Sequence, residues 1–302
     1  MPHAFVHLFA IDRIRGDARL HPLAREALGR LPAFGRLGAI LPDLPYFSSI
    51  WWRALWHRVG LLPPGARWAD RLHHQRPLTA GLALLVPRAA SRLGPLARLA
   101  IGAGYFSHAA LDSALHPLVY RLIAEGGAQG KRAQRAQHML IEKVQARWLI
   151  EHWLGYDLID APPLIEIGRL DPSVCTDRVL LQIEASLRQV FGRGPRPAQV
   201  LDWINGLAWY SARVRGRITE AEGPAADPVA LRERYFTAVD LCAQYERAAD
   251  RAVEWIHRIS TTFEPGDMLP DAFKSLQAQF PEINIDQAND PLLEQEQAAN
   301  RS

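Results

Sequence analysis

Residues 102–117 read GAGYFSHAALDSALHP. His108, Asp112 and His116 recur every four residues. On a helix each such step overshoots a full turn by about 40°, so the three side chains fan over about 80° of one face. They climb about 12 Å along it at roughly 1.5 Å per residue. Their neighbours Tyr105, Phe106, Ala109, Ala110, Leu111, Ala114 and Leu115 are almost all apolar. Three ionisable groups on one stripe of an apolar helix are costly to bury unpaired, and shared coordination of a cation removes that cost.

Outward from this helix the pattern stays helical. Ala, Leu, Arg and Glu recur through all 302 residues and β-branched runs are scarce, so the class expected is all-α. Residues 1–30 read as a helix broken near Gly16 and resumed from His21-Pro22. Gly35 to Pro45 (GRLGAILPDLP) reads as a loop punctuated by glycine and proline. Ser48 or Ser49 can cap a short helix bearing Trp51, Trp52 and Trp56. Residues 77–90 and 93–116 read as buried helices, the second ending at His116 because a residue before proline disfavours the α region. A long amphipathic helix is expected from Lys131 to about Leu154. Pro162-Pro163 is the clearest break, followed by helices near 176–192, 197–215 and 228–260. The expected organisation is one helical domain over 1–265, with a metal-site half at 1–155 and a helical remainder at 165–265. A polar, loosely ordered tail is expected at 266–302.

Further ligand-type residues stand in order along the chain. His138 and Glu142, in QHMLIEKV, lie one helical turn apart and can hold one ion from one face. Asp43 is a single carboxylate in an apolar, proline-framed loop, where a plain turn or N-cap role is the competing reading. His73 and His74 are adjacent and point in different directions, so at most one is a ligand. His7, in FVHLFAI, sits on an apolar helix, where taken alone it reads as a satisfied core histidine.

Composition narrows the setting. Hydrophobic residues make up 48% and charged residues 22%, as in folded globular chains. Residues 1–150 carry 20 Lys+Arg against 8 Asp+Glu, a net of +12, and the remainder carries −9. Such a basic half suits an anionic ligand or surface as well as plain solvated faces. The only cysteines, Cys175 and Cys242, form no Cys-x-x-Cys and no leader pattern precedes the first helix, so a reduced, cytoplasmic setting is expected. The most apolar stretch, Leu93 to Phe106, is interrupted by Arg98, so no membrane span is expected. Trp51, Trp52 and Trp56 suit peripheral membrane contact, with packing over the core or metal site as the competing role. No helix-turn-helix or zinc-finger spacing supports nucleic-acid binding.

The order and local wording resemble the zinc-dependent phospholipase C and S1/P1 nuclease superfamily. VHLFAI, GAILPD, a histidine some 30 residues on, GYFSHAALDSALHP and then His-x-x-x-Glu follow that family's pattern over about residues 3–150. The resemblance implies a multi-helix domain holding two or three zinc ions. Asp43, His73 (or His74), His108 and Asp112 would hold one ion. His116, His138 and Glu142 would hold a second, and Asp112 would bridge to a third that His7 also ligates. Secreted members chelate the third ion through an N-terminal tryptophan; here the chain starts MPHAF, so that site would use His3 or be missing. The implied activity is hydrolysis of phosphoesters, with phospholipid as the implied substrate and Asp43 orienting or deprotonating the attacking water. Two alternatives are a nuclease-like phosphodiesterase and a non-catalytic, metal-stabilised interaction protein. A haemerythrin- or ferritin-like di-iron centre would prefer more carboxylates than the three here.

Overall fold

The computed structural model describes residues 3–52, 63–127, 129–154, 170–213, 241–263, 270–280, 283 and 285. Eleven α-helices and three single 3₁₀ turns make up the elements, and no strand occurs among the described residues. The helices are α1 (His3–Ile14), α2 (Pro22–Arg30), α3 (Pro32–Ile40), α4 (Ala66–His74), α5 (Pro77–Leu85), α6 (Pro95–Glu125), α7 (Lys131–Leu154), α8 (Asp177–Phe191), α9 (Pro197–Arg213), α10 (Leu241–Thr262) and α11 (Pro270–Gln279). The 3₁₀ turns are Leu44–Phe47, Ile50–Trp52 and Pro172–Cys175. The expected all-α class is therefore what the chain adopts. The Pro162-Pro163 break, Trp56 and the stretch 228–240 lie outside the described residues. No helix among those described is long and apolar enough to cross a membrane.

Helix α6 is the axis of the molecule. It packs against α1, α2, α3, α5, α7 and α10, and every residue from Ala97 to Ser113 is buried. It does not stop at His116 but runs on through Pro117 to Glu125. A proline inside a helix costs about 3 kcal/mol, mainly through the lost bond to the carbonyl four residues back. Burial of Leu118, Val119, Leu122 and Ile123 beyond it offsets that cost.

The segment expected as a loop from Gly35 is helical as far as Ile40. Its glycines serve contact, not turning. A Cβ on Gly38 would lie 1.9 Å from the Ile101 carbonyl oxygen, and one on Gly104 would lie 2.0 Å from the Gly35 oxygen. Helices α3 and α6 thus meet backbone to backbone, and a side chain on either helix would force them apart. Helix α5 is shorter than expected, ending at Leu85. Val86 precedes Pro87 and is extended at φ −72°, ψ 130°. The carbonyls at that end are satisfied from α8, where Gln182 Nε2 donates to Leu84 O (3.0 Å) and Val86 O (2.8 Å). Buried Arg98 adds a donor to Leu85 O at 3.0 Å.

Of the short helix expected after Ser48 or Ser49, the described residues show a 3₁₀ turn, Ile50–Trp52. Ser49 adopts a positive φ of 48°, and Ser48 Oγ accepts from Gly65 N at 2.7 Å, tying the start of α4 to this connection. The tail expected as loosely ordered begins with structure. Leu276 and Phe280 of the α11 region are buried, as are Ile283 and Ile285. Ile285 N donates to His73 O at 3.1 Å.

Replacing Gly38 with alanine is expected to cost about 3 kcal/mol, because overpacking against backbone outweighs alanine's better helix propensity. Gly29→Ala, at a position with open space around it, should be neutral or slightly stabilising. Urea denaturation of both variants checks the contrast.

Candidate metal centre

Eight of the nine ligand-type residues singled out from the sequence fall into three groups, and Asp112 links them. Asp112, 2% exposed, faces four histidines. Its Oδ2 lies 3.0 Å from His108 Nε2 and 3.5 Å from His73 Nε2. Its Oδ1 lies 3.1 Å from His7 Nε2 and 3.8 Å from His116 Nε2. Each oxygen therefore looks into a different group of donors.

The first group is Asp43, His73 and His108. Asp43 lies between α3 and the 3₁₀ turn Leu44–Phe47, held in place by its backbone: its N–H donates to Ile40 O (3.0 Å) and its carbonyl accepts from Tyr46 N (2.9 Å). It occupies an N-cap position, yet its side chain makes no capping bond. Instead Oδ1 faces His73 Nε2 at 3.4 Å, which decides against the plain-turn reading. His73, on the last turn of α4, donates from Nδ1 to Ala69 O at 2.7 Å. His108 does the same to Ala39 O at 2.8 Å. That bond depends on the glycine-lined contact between α3 and α6. A neutral imidazole that donates from Nδ1 offers Nε2 as a lone pair. The two Nε2 atoms, 3.4 Å apart, then point lone pairs at the same space.

The second group is His7, His108 and Asp112. The His7 ring stacks on His108 with centroids 3.8 Å apart and planes inclined by 24°. The third is His116, His138 and Glu142, where His116 Nε2 is 3.5 Å from Glu142 Oε1 and His138 makes a short hydrogen bond to the same oxygen. His74 stays apart. It is half-buried on the outer side of α4 and pairs with Asp70 at 3.8 Å, so of the His73-His74 pair it is His73 that faces the cluster. The side chain of His3 lies outside the described residues.

Sequence reasoning missed the carbonyls of Ala39 and Ala69, which have no residue signature, and two tyrosines. Tyr120 sits with its ring 5.3 Å from His138 and 6.3 Å from His116. Its place one turn after His116 continues the four-residue stripe and was available as a signal. Tyr46 lies 6.1 Å from His73.

The residues present could hold a metal ion. Two inward Nε2 lone pairs converge, and Asp112 Oδ1 is buried and accepts no hydrogen bond among the described residues. Imidazole and carboxylate donors without thiolate suit zinc and its first-row neighbours. Cys175 and Cys242 lie in none of the three groups. No protein-family model, curated protein or solved structure matches the chain.

Without metal the cluster is an acid-sensitive charge network. Burial would raise the Asp43 carboxyl, but the His73 hydrogen bond and the charges of His108, His73 and His7 outweigh it and hold it at about 2. Burial opposes ionisation of Asp112 too, yet His108, His116 and His7 hold it well below the usual carboxylate range. Burial, and then the charge of His108, lower His7, with Asp112 partly opposing. The unfolded chain takes up a proton on His7 near pH ~6.5, and on the two carboxylates near ~3.9, before the folded chain does. All three groups therefore favour the folded state at neutral pH. That advantage falls as pH drops below about 6.5, and falls further below about 4. Melting temperatures of chelator-treated protein between pH 8 and pH 3 should decline in these two stages. In His7→Gln the decline above pH 5 should be shallower.

Proposed function

We propose that the chain is a metal-dependent phosphoester hydrolase of phospholipase C-like type, built on a zinc cluster. The observation carrying this reading is the linking of three ligand groups through Asp112. Residues from five separate segments that match one family's ligand order meet within bonding reach of shared ions. Asp43, His73, His108 and Asp112 Oδ2 would hold one ion. His116, His138 and Glu142 would hold another, and His7 with Asp112 Oδ1 a third. Bound there, zinc supplies a lowered pKa for coordinated water and charge stabilisation for phosphoryl oxygens.

The chain's own residues then divide the remaining work. Asp43 and His138 are the ligands that reach solvent, with side chains 15% and 20% exposed, whereas His7, His108 and Asp112 are sealed. Substrate would therefore approach where Asp43 or His138 reaches solvent. Asp43, at the edge of the cluster, is placed to orient or deprotonate the attacking water. The basic N-terminal half, 20 cationic against 8 acidic residues, favours an anionic ester. One observation favours a second reading: six of the eight ligands are buried, as in a purely structural metal site that stabilises an interaction protein.

Metal analysis by mass spectrometry, combined with hydrolysis of p-nitrophenyl-phosphorylcholine and of a single-stranded oligonucleotide, separates these readings. Two or more zinc ions per chain and turnover of the choline ester are expected for the wild type. Losing a partner of a ligand costs about 10–100-fold in affinity or activity, so Asp112→Asn, which alters a shared ligand, should lose more than that. Turnover of the oligonucleotide alone would transfer the reading to a nuclease-like phosphodiesterase. Stoichiometric metal with no turnover of either would establish the structural reading and overturn the hydrolase.

A further inference from the structure

Trp51 and Trp52 are the exposed large hydrophobic side chains of the described structure, at 50% and 59%. They occupy the 3₁₀ turn Ile50–Trp52, on the same connection that carries Asp43. Trp51 meets Trp209 of α9 edge-on, with centroids 6.0 Å apart and planes at 89°. The turn is firmly seated beneath them. Ser49 N donates to Asp202 Oδ2 at 3.0 Å, Ile50 is buried, and the Phe47 carbonyl lies so close to Gly206 that a Cβ there would sit 2.0 Å away. Two indoles held out by a rigid base are therefore a fixed feature of this face.

The elements beside the turn are basic. The Gly65 N–H to Ser48 Oγ bond sets the start of α4 against the connection three residues before Trp51. Arg67 is exposed on the first turn of α4, and Arg71, one turn on, lies over the Trp68 ring at 5.0 Å. The Trp68 ring in turn meets Phe191 at the end of α8, just before exposed Arg193. Burial first, and then the charges of Arg193 and Arg67, hold the Arg71 guanidinium below its ordinary value, as expected for cations gathered on one surface. None of the three makes an ion pair among the described residues, and the nearby Asp70 is engaged by His74 and Gln75.

We propose that Trp51 and Trp52, together with Arg67, Arg71 and Arg193 on the adjoining elements, form a docking surface for a bilayer containing anionic phospholipids. Indole rings favour the headgroup level, where the ring is buried and its N–H stays wet. Arginines beside them meet lipid phosphates. Stacking of single-stranded nucleic acid suits the geometry less well. Consecutive residues of a 3₁₀ turn diverge by about 120°, so the two indoles do not present parallel faces to successive bases.

Co-sedimentation of the full chain with vesicles tests this without recourse to turnover. The vesicles are phosphatidylcholine alone, or phosphatidylcholine with phosphatidylglycerol. The wild type should partition onto the anionic vesicles, less onto the neutral ones, and less at higher salt. Trp51→Ala/Trp52→Ala should weaken partitioning onto both by about tenfold or more. Trp52→Ala, which leaves the Trp51–Trp209 contact in place, should give a smaller loss in the same direction. Arg67→Glu/Arg193→Glu should remove the preference for the anionic vesicles. Unchanged melting temperatures would confirm that these exposed substitutions leave the fold intact. Wild-type protein that stays in the supernatant with both vesicles, or tryptophan variants that partition like the wild type, would overturn the proposal. So would a single-stranded oligonucleotide that binds the wild type in preference to vesicles and loses its affinity in the tryptophan variants.

Discussion

A buried carboxylate surrounded by imidazoles is the constraint on which the rest of this structure depends. Asp112 sits at the centre of the longest buried helix, almost fully removed from water. An isolated ionised carboxylate there would be expensive by many kcal/mol. The chain meets that cost with four histidines from three helices, two of them fixed by Nδ1–H bonds to backbone carbonyls. When the imidazoles are neutral the same arrangement leaves inward lone pairs, which is the condition a divalent cation satisfies. Charge compensation in the core and the capacity to bind metal are two descriptions of one geometry.

Much of the fold can be understood as what holds that geometry still. The backbone-to-backbone meeting of α3 and α6 puts the Ala39 carbonyl within reach of His108. The turn that follows α3 then delivers Asp43. Continuation of α6 through Pro117 keeps His116 in register with Asp112 and brings Tyr120 beside the outer group. On the far side, Ile285 ties the chain's late residues to the carbonyl of His73. Substitutions well away from the ligands, at Gly38 or Gly104, act on the centre through these backbone contacts.

The periodicity of residues 102–117 made both the helical class and the stripe of ligands legible, and His138 with Glu142 followed from the same spacing logic. The choice between His73 and His74 was not legible, because it depends on which side of α4 faces the core. That side is set by Trp68, Ala69 and Leu72 packing inward. Gly35 and Gly38 were read as punctuation, since composition cannot distinguish a glycine that turns the chain from one that lets two helices touch. Pro117 was read as a stop because local preference was weighed without the burial that overrides it. Ile283 and Ile285 were hidden by a polar context, although both side chains are buried in the core.

Anomalous diffraction from crystals of the protein purified without chelators, recorded on either side of the zinc absorption edge, tests the central claim most directly. The account predicts strong peaks between Asp112 and the surrounding histidines, one against Asp43, His73 and His108, and one against His116, His138 and Glu142. Peaks confined to surface histidines such as His74, or a density-free cluster whose histidines bond only to one another and to Asp112, would contradict it.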